Sequence, residues 1–312
     1  MNTLLLIFAL CQAPADGIKV LSKDLTLKDT AREKQLPIRV TWPDKGEKYP
    51  VIIFSHGMGG SLAAGGPLTD YWVERGYVVI RPTHEDSIQY ASPEERAAFL
   101  RREGRILGDS RQRPADVTFV LNELGNLEKQ IPELKGKMDA SKIGMSGHSY
   151  GAWTTMMIGG TKLIAGQRSL SYEDDRPLAL ILLSPQGTGQ GLTKESYQSM
   201  KRPTLSITGS KDEDPFTPGR AGEWRSEPFL NQPVGDKFLM FIDGADHSLG
   251  GINGRRIQRL AGSNDSGMLL AIQACTLAFW DRYLKGDSKA MQDINAKSLT
   301  EIAKCDVKLE RR

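Results

Sequence analysis

The sequence predicts an α/β protein built on a doubly wound, mostly parallel sheet. Three observations carry that prediction: short apolar runs recur along the chain, segments of helical period lie between them, and glycine-rich turns follow several of the runs. A strand covered on both faces reads as a continuous apolar run, whereas a half-exposed strand alternates. The runs are Val51-Ile52-Ile53-Phe54, Tyr77-Val78-Val79-Ile80, Lys142-Ile143-Gly144-Met145, Leu178-Ala179-Leu180-Ile181-Leu182-Leu183, Thr204-Leu205-Ser206-Ile207 and Phe238-Leu239-Met240-Phe241-Ile242. Helices are expected at 67–75, 113–127, 152–159 and 268–284. The second of these places Val117, Val120, Leu121 and Leu124 on one face. Gly286 follows the last as a C-terminal cap. This alternation argues for one α/β domain over residues 16–312. Before residue 50, Ile38-Arg39-Val40-Thr41-Trp42 alternates and Pro43 closes it, so antiparallel strands are expected at one edge. Residues 92–113 are charged and helix-prone. They read as a solvated excursion, with a lid over a pocket as the sharper alternative.

Composition narrows the function. Of 312 residues, 39% are hydrophobic and 25% charged, the balance of a globular chain rather than a disordered one. Lys and Arg number 41 against 38 Asp and Glu, a net charge of +3 that does not point to nucleic acid. No apolar stretch after the N-terminus is long enough to span a bilayer. Residues 1–15 carry no charge, contain Leu4-Leu5-Leu6-Ile7-Phe8-Ala9-Leu10, and end in Ala13-Pro14-Ala15. That pattern reads as a cleavable export signal and a secreted or periplasmic protein, with a lipid anchor on Cys11 as the lesser reading because the large Leu10 precedes it. Removing the leader leaves Cys275 and Cys305, an even pair that predicts a disulfide tying the C-terminal tail. A monomer is expected.

The chemistry concentrates at strand ends. Gly147-His148-Ser149-Tyr150-Gly151 follows an apolar strand and precedes a helix, the context of a nucleophile elbow that lifts Ser149 above the sheet. Of the four histidines, only His247 lies C-terminal to that turn, which makes it the base for the chain order serine, acid, histidine. His148 reads as a packing residue inside the turn, and His56 as part of a glycine-bearing loop that works through its backbone. The acid is expected after the Thr204–Ile207 run, where Asp212 is favoured and Asp214 also qualifies. The oxyanion donors are expected to be the backbone N–H groups of Tyr150 and of Met58, whose neighbours Gly57 and Gly59 let the loop turn inward. Loop placement makes His148, Gln186, Phe216 and Leu249 candidate pocket residues, with Tyr150 and Met58. Adjacent His84-Glu85-Asp86 side chains do not point at one ion, though His84 could line the pocket rim, so no metal is expected. Gly57-Met58-Gly59-Gly60 lacks the Gly-Lys-Ser/Thr ending of a phosphate loop, so no cofactor is expected either.

Together, Phe54-Ser55-His56-Gly57-Met58-Gly59, Arg113-Pro114-Ala115-Asp116, Gly147-His148-Ser149-Tyr150-Gly151, Gly209-Ser210-Lys211-Asp212 and Gly244-Ala245-Asp246-His247 resemble the α/β-hydrolases of the dienelactone-hydrolase and platelet-activating-factor-acetylhydrolase-like group. The resemblance implies an α/β-hydrolase fold and a serine carboxylesterase working through an acyl-enzyme, with Ser149, Asp212 and His247 as its triad. Dienelactone hydrolases proper carry cysteine where this chain has Ser149. A more distant resemblance, to cutinases and polyester hydrolases, implies polymeric esters as an alternative substrate. Those enzymes place aromatic residues where this chain has Met58 and Gln186, and Trp153 and Trp224 read here as core. A short-acyl phospholipid is the other alternative, and a peptide a more remote one.

Overall fold

The apolar runs become the middle of one sheet. A computed structural model describes residues 17–106, 108–254 and 265–312; the leader read at 1–15 lies outside the described residues. The strands are β1 (Val20–Asp29), β2 (Lys34–Pro43), β3 (Tyr49–Ser55), β4 (Val78–Pro82), β5 (Met138–His148), β6 (Leu163–Ala165), β7 (Arg168–Leu170), β8 (Pro177–Leu183), β9 (Thr204–Lys211), β10 (Lys237–Asp246) and β11 (Val307–Arg311). The helices are α1 (Gly66–Val73), α2 (Pro93–Leu100), α3 (Gln112–Gln130), α4 (Tyr150–Ile158), α5 (Gly222–Asn231), α6 (Asp265–Leu284) and α7 (Ala296–Ala303). Among the described residues, nine strands form one sheet in the order β1-β2-β4-β3-β5-β8-β9-β10-β11, and β6 with β7 makes a separate hairpin. The centre, from β4 through β10, is parallel.

The continuous apolar runs are explained by the two cores they feed. Successive strand residues point to opposite faces. Ile52, Phe54, Val79, Ile181 and Leu183 face one core, with Trp72 of α1 and Phe279 and Trp280 of α6. Val51, Ile53, Val78, Ile80, Leu180 and Leu182 face the other, with Val117, Val120, Leu121 and Leu124 of α3 and Met156 and Met157 of α4. On the first face α1 and α6 are locked together. Trp72 and Trp280 meet edge to face at 5.8 Å, and the Trp72 indole donates to Thr276 Oγ1 at 3.0 Å.

Two features depart from expectation. The antiparallel pair β1/β2 forms one edge as expected, but β11 pairs antiparallel with β10 at the other. Its sequence, Val307-Lys308-Leu309-Glu310-Arg311, is too short and charged to signal a strand by itself. Cys275 and Cys305 are free thiols, which overturns the expected disulfide. Cys275 is wholly buried on the core face of α6 and packs as a small apolar side chain, and burial pushes its thiol up to about 12. Within 92–113, α2 starts with a reciprocal capping box between Ser92 and Glu95 and buries none of its residues fully, in keeping with a solvated helix.

Candidate active site

Ser149 sits between the last residue of β5 and the first of α4. Its backbone has φ 55° and ψ −118°, a conformation that costs energy for any residue with a Cβ. Sterics keep its neighbours as glycine. A Cβ on Gly147 would lie 2.3 Å from the Gly151 carbonyl, and one on Gly151 would lie 1.9 Å from the Ser55 oxygen. The Ser149 amide donates to the Leu183 carbonyl at 2.8 Å, pinning the turn to β8. The serine thus stands at the positive end of α4, partly exposed.

His247 Nε2 is 3.0 Å from Ser149 Oγ, and His247 Nδ1 is 2.7 Å from Asp212 Oδ1. Asp212 is fully buried, and Thr208 Oγ1 donates to its other oxygen at 2.8 Å. Burial works to raise the Asp212 carboxyl, but the hydrogen bond and charge of His247 and the charge of Arg225 hold it below the usual carboxylate range. Of the two carboxylates, it is the favoured Asp212 and not Asp214 that meets His247. Asp214 accepts from the Phe216 amide at 2.8 Å and faces Arg105 at 3.5 Å. Arg225, on α5, escaped the sequence reading. Its Nε lies 2.9 Å from Asp212 Oδ1 and donates to the Asp212 carbonyl at 2.8 Å, while Nη1 donates to the Ser184 carbonyl at 2.9 Å. It ties the acid loop to the end of β8.

Ser149 opens into a cleft walled by Met58, Tyr150, Trp153, Gln186, Phe216 and Trp224, with Arg105 and Arg220 among its polar lining. Gln186 and Phe216 therefore lie where loop placement put them, but His148 and Leu249 do not. Leu249 is buried in the core shared with α6. His148 lies against His247, with ring centres 4.8 Å apart. Its Nε2 donates to the His247 carbonyl at 2.8 Å and its Nδ1 accepts from Asn253 at 3.2 Å. Burial, aided by the neighbouring His247, pushes His148 down to about 3, so it stays neutral and fixes the base from beneath. Trp153, read as core, is buried in the core shared with α3 and also lines the cleft, packing on Tyr150 at 5.3 Å, whereas Trp224, also read as core, is only half-buried on the cleft wall. Arg105 and Gly108 bring part of the 92–113 excursion into the wall.

A second relay lies under the Met58 loop. Ser55 Oγ is 2.9 Å from His84 Nε2, and His84 Nδ1 is 2.9 Å from Asp116 Oδ2, the connectivity of a Ser-His-Asp triad. All three side chains are fully buried, so no substrate reaches this serine. His84 is therefore not on the pocket rim. Its two sequence neighbours diverge from it: Glu85 accepts from the Asp109 amide at 2.6 Å, and Asp86 pairs with Arg113 at 2.8 Å. Among the described residues no three His, Cys, Asp or Glu side chains gather as a metal site.

A serine at a strand-to-helix elbow, an acid just after β9 and a histidine just after β10, joined as one relay on a mostly parallel sheet, define an α/β-hydrolase of the serine type. More specifically, the chain is similar, at low identity, to platelet-activating factor acetylhydrolases. The sequence profile of the family described as platelet-activating factor acetylhydrolase, isoform II, matches residues 21–102, from β1 to just past α2. A platelet-activating factor acetylhydrolase from Cavia porcellus is 24% identical over 275 residues, covering 77% of this chain and 58% of that protein. The chain thus spans well under two thirds of that relative's length. Among the described residues no helix is long and apolar enough to cross a membrane.

Proposed function

We propose that the protein hydrolyses carboxylic esters through an acyl-enzyme on Ser149. The observation that carries this reading is the Ser149–His247–Asp212 relay at the wall of an accessible, aromatic-lined cleft. His247 takes the Oγ proton as Ser149 attacks the ester carbonyl, and Asp212 holds the histidine tautomer and stabilises the imidazolium. The amides of Met58 and Tyr150 receive the charge that develops on the carbonyl oxygen. The tetrahedral intermediate collapses with the proton passing from His247 to the departing alcohol. Water, deprotonated by His247, then releases the acid and restores Ser149.

The cleft also bears on the substrate. Arg220 stacks over Trp224 at 5.0 Å and, among the described residues, has no carboxylate partner. Aromatic walls beside a free guanidinium favour an ester with an apolar body and an anionic group. The name of the guinea-pig relative directs the search to acetyl esters of phospholipids. Aromatic polyesters are the second reading, favoured by Trp153 and Trp224 on the cleft wall. The test is turnover of p-nitrophenyl esters from acetyl to dodecanoyl, an acetylated phospholipid and the matching anilides. Ester cleavage that vanishes in Ser149→Ala is expected. Full esterase turnover in that variant contradicts the proposal.

A further inference from the structure

Behind the cleft lies a buried polar cluster that the proposed acyl transfer does not use. At its centre is Arg113, at the start of α3 and 1% exposed. Its Nε and Nη2 fork onto Asp86, each bond 2.8 Å, and both partners are buried. The remaining donors turn to the loop after β3. Nη1 donates to the His56 carbonyl at 2.8 Å and Nη2 to the Gly57 carbonyl at 3.3 Å. The guanidinium also lies 4.2 Å from the centre of the Tyr150 ring.

The Gly57 oxygen is held three times over. Besides Arg113 it accepts from the Gly60 amide at 3.0 Å and from His56 Nδ1 at 2.6 Å. The His84 amide donates to His56 Nε2 at 3.0 Å, so the His56 proton resides on Nδ1, and His84 is itself fixed by Ser55 and Asp116. The second relay therefore serves this loop. A trans peptide is planar, with its C=O and N–H pointing in opposite directions, and no peptide in the described structure is cis. Anchoring the Gly57 carbonyl inward directs the N–H of the same peptide unit, that of Met58, outward. Met58 lies on the cleft wall with Ser149.

We infer that Arg113, braced by Asp86, is the positioning residue of the oxyanion site. One guanidinium hydrogen-bonds the carbonyl of the Gly57–Met58 peptide, whose N–H is one assigned donor, and lies against the ring of Tyr150, the residue that bears the other. This inference rests on the proposed acyl transfer at Ser149 and adds a residue outside the triad to it.

The test compares wild type with Arg113→Lys, Arg113→Ala and Asp86→Asn. Each is measured for kcat, KM, affinity for a tetrahedral boronate and labelling by a fluorophosphonate. An oxyanion donor that is misdirected costs ~10²-fold in kcat. The expected result for folded Arg113→Lys is a loss of that order with KM unchanged and an equal loss of boronate affinity. Guanidinium ion added to Arg113→Ala should restore part of the rate, which a merely loosened fold would not show. Should the Arg113 variants fail to fold, Asp86→Asn decides, with a smaller loss of kcat at constant KM expected. Wild-type kcat in a folded variant, or a change confined to KM, overturns the inference. Absence of a wild-type fluorophosphonate adduct defeats the acyl-transfer reading itself, whereas a labelled wild type with unaffected variants defeats only the role of Arg113.

Discussion

Ser149 and Ser55 stand at the ends of neighbouring parallel strands, and each meets a histidine that an aspartate holds. The two relays match to within about 0.2 Å in their hydrogen bonds, which run from 2.7 to 3.0 Å. They differ in everything around those bonds. Ser149 is strained, stands at a helix N-terminus and opens into a cleft. Ser55 is an ordinary strand residue, wholly buried, with Arg113 Nη1 donating to its oxygen at 3.2 Å. Asp116 is neutralised on its far side by Arg32 and Lys34, each at 2.8 Å, whereas Asp212 answers to Arg225. Connectivity alone does not make a nucleophile. Substrate access and amides aimed at the reacting carbonyl do, and the Ser55 relay spends the same bonds on holding such an amide in place.

The largest expected contrast is between the two serines. Ser149→Ala should lower kcat by on the order of 10⁶-fold while leaving the melting temperature near wild type. Ser55→Ala should keep kcat within about tenfold and cost about 1–2 kcal/mol of stability, because His84 and Arg113 lose a buried partner. Steady-state kinetics and urea unfolding of both variants measure this. A reversal would exchange the roles assigned here. The acids sharpen the contrast: Asp212→Asn should lower kcat about 10⁴-fold by releasing the wrong His247 tautomer. Asp116→Asn should act mainly on stability, by about 3 kcal/mol, since it removes the buried negative charge that Arg32 and Lys34 share. Equal kinetic losses in the two would contradict the division.

The buried histidines supply a smaller, pH-dependent effect. Burial, with the charge of Arg113, lowers His56 and His84, and burial lowers His148 to about 3. In the unfolded chain each binds a proton near 6.5. Below that pH the unfolded state therefore holds more protons than the fold, and stability falls as pH falls. For His148 the loss runs from about 6.5 down to about 3, with a slope of at most about 1.4 kcal/mol per pH unit. Urea midpoints between pH 7 and 4 should drop, and His148→Gln should flatten that slope. An unchanged slope would mean that His148 titrates normally in the fold. The smallest effect concerns the thiols: with Cys275 and Cys305 free, a reductant should leave the melting temperature unchanged.

How much of this was legible in the sequence follows from where the information sits. The six parallel strands were readable because two-sided burial writes itself as an apolar run. The elbow was readable because two glycines are forced by contacts of 2.3 Å and 1.9 Å. Asp212 could be favoured over Asp214 but not fixed, since which carboxylate turns inward depends on Arg225 and Arg105 from distant segments. The buried clamp left one overlooked signal. Arg113 and Asp116 fall on the same helical stripe as Val117 and Val120, so two charges occupy core positions of α3. Charges on a buried stripe need buried partners. The cysteine pair misled because parity says nothing of distance or direction, and Cys275 was already committed to the α6 core.

The central claim, that the open relay and not the buried one carries the nucleophile, is tested most directly by mapping a fluorophosphonate adduct. Intact mass followed by peptide sequencing should show one adduct, on Ser149, retained in Ser55→Ala and lost in Ser149→Ala and His247→Ala. An adduct on Ser55, or labelling that survives Ser149→Ala, would contradict it.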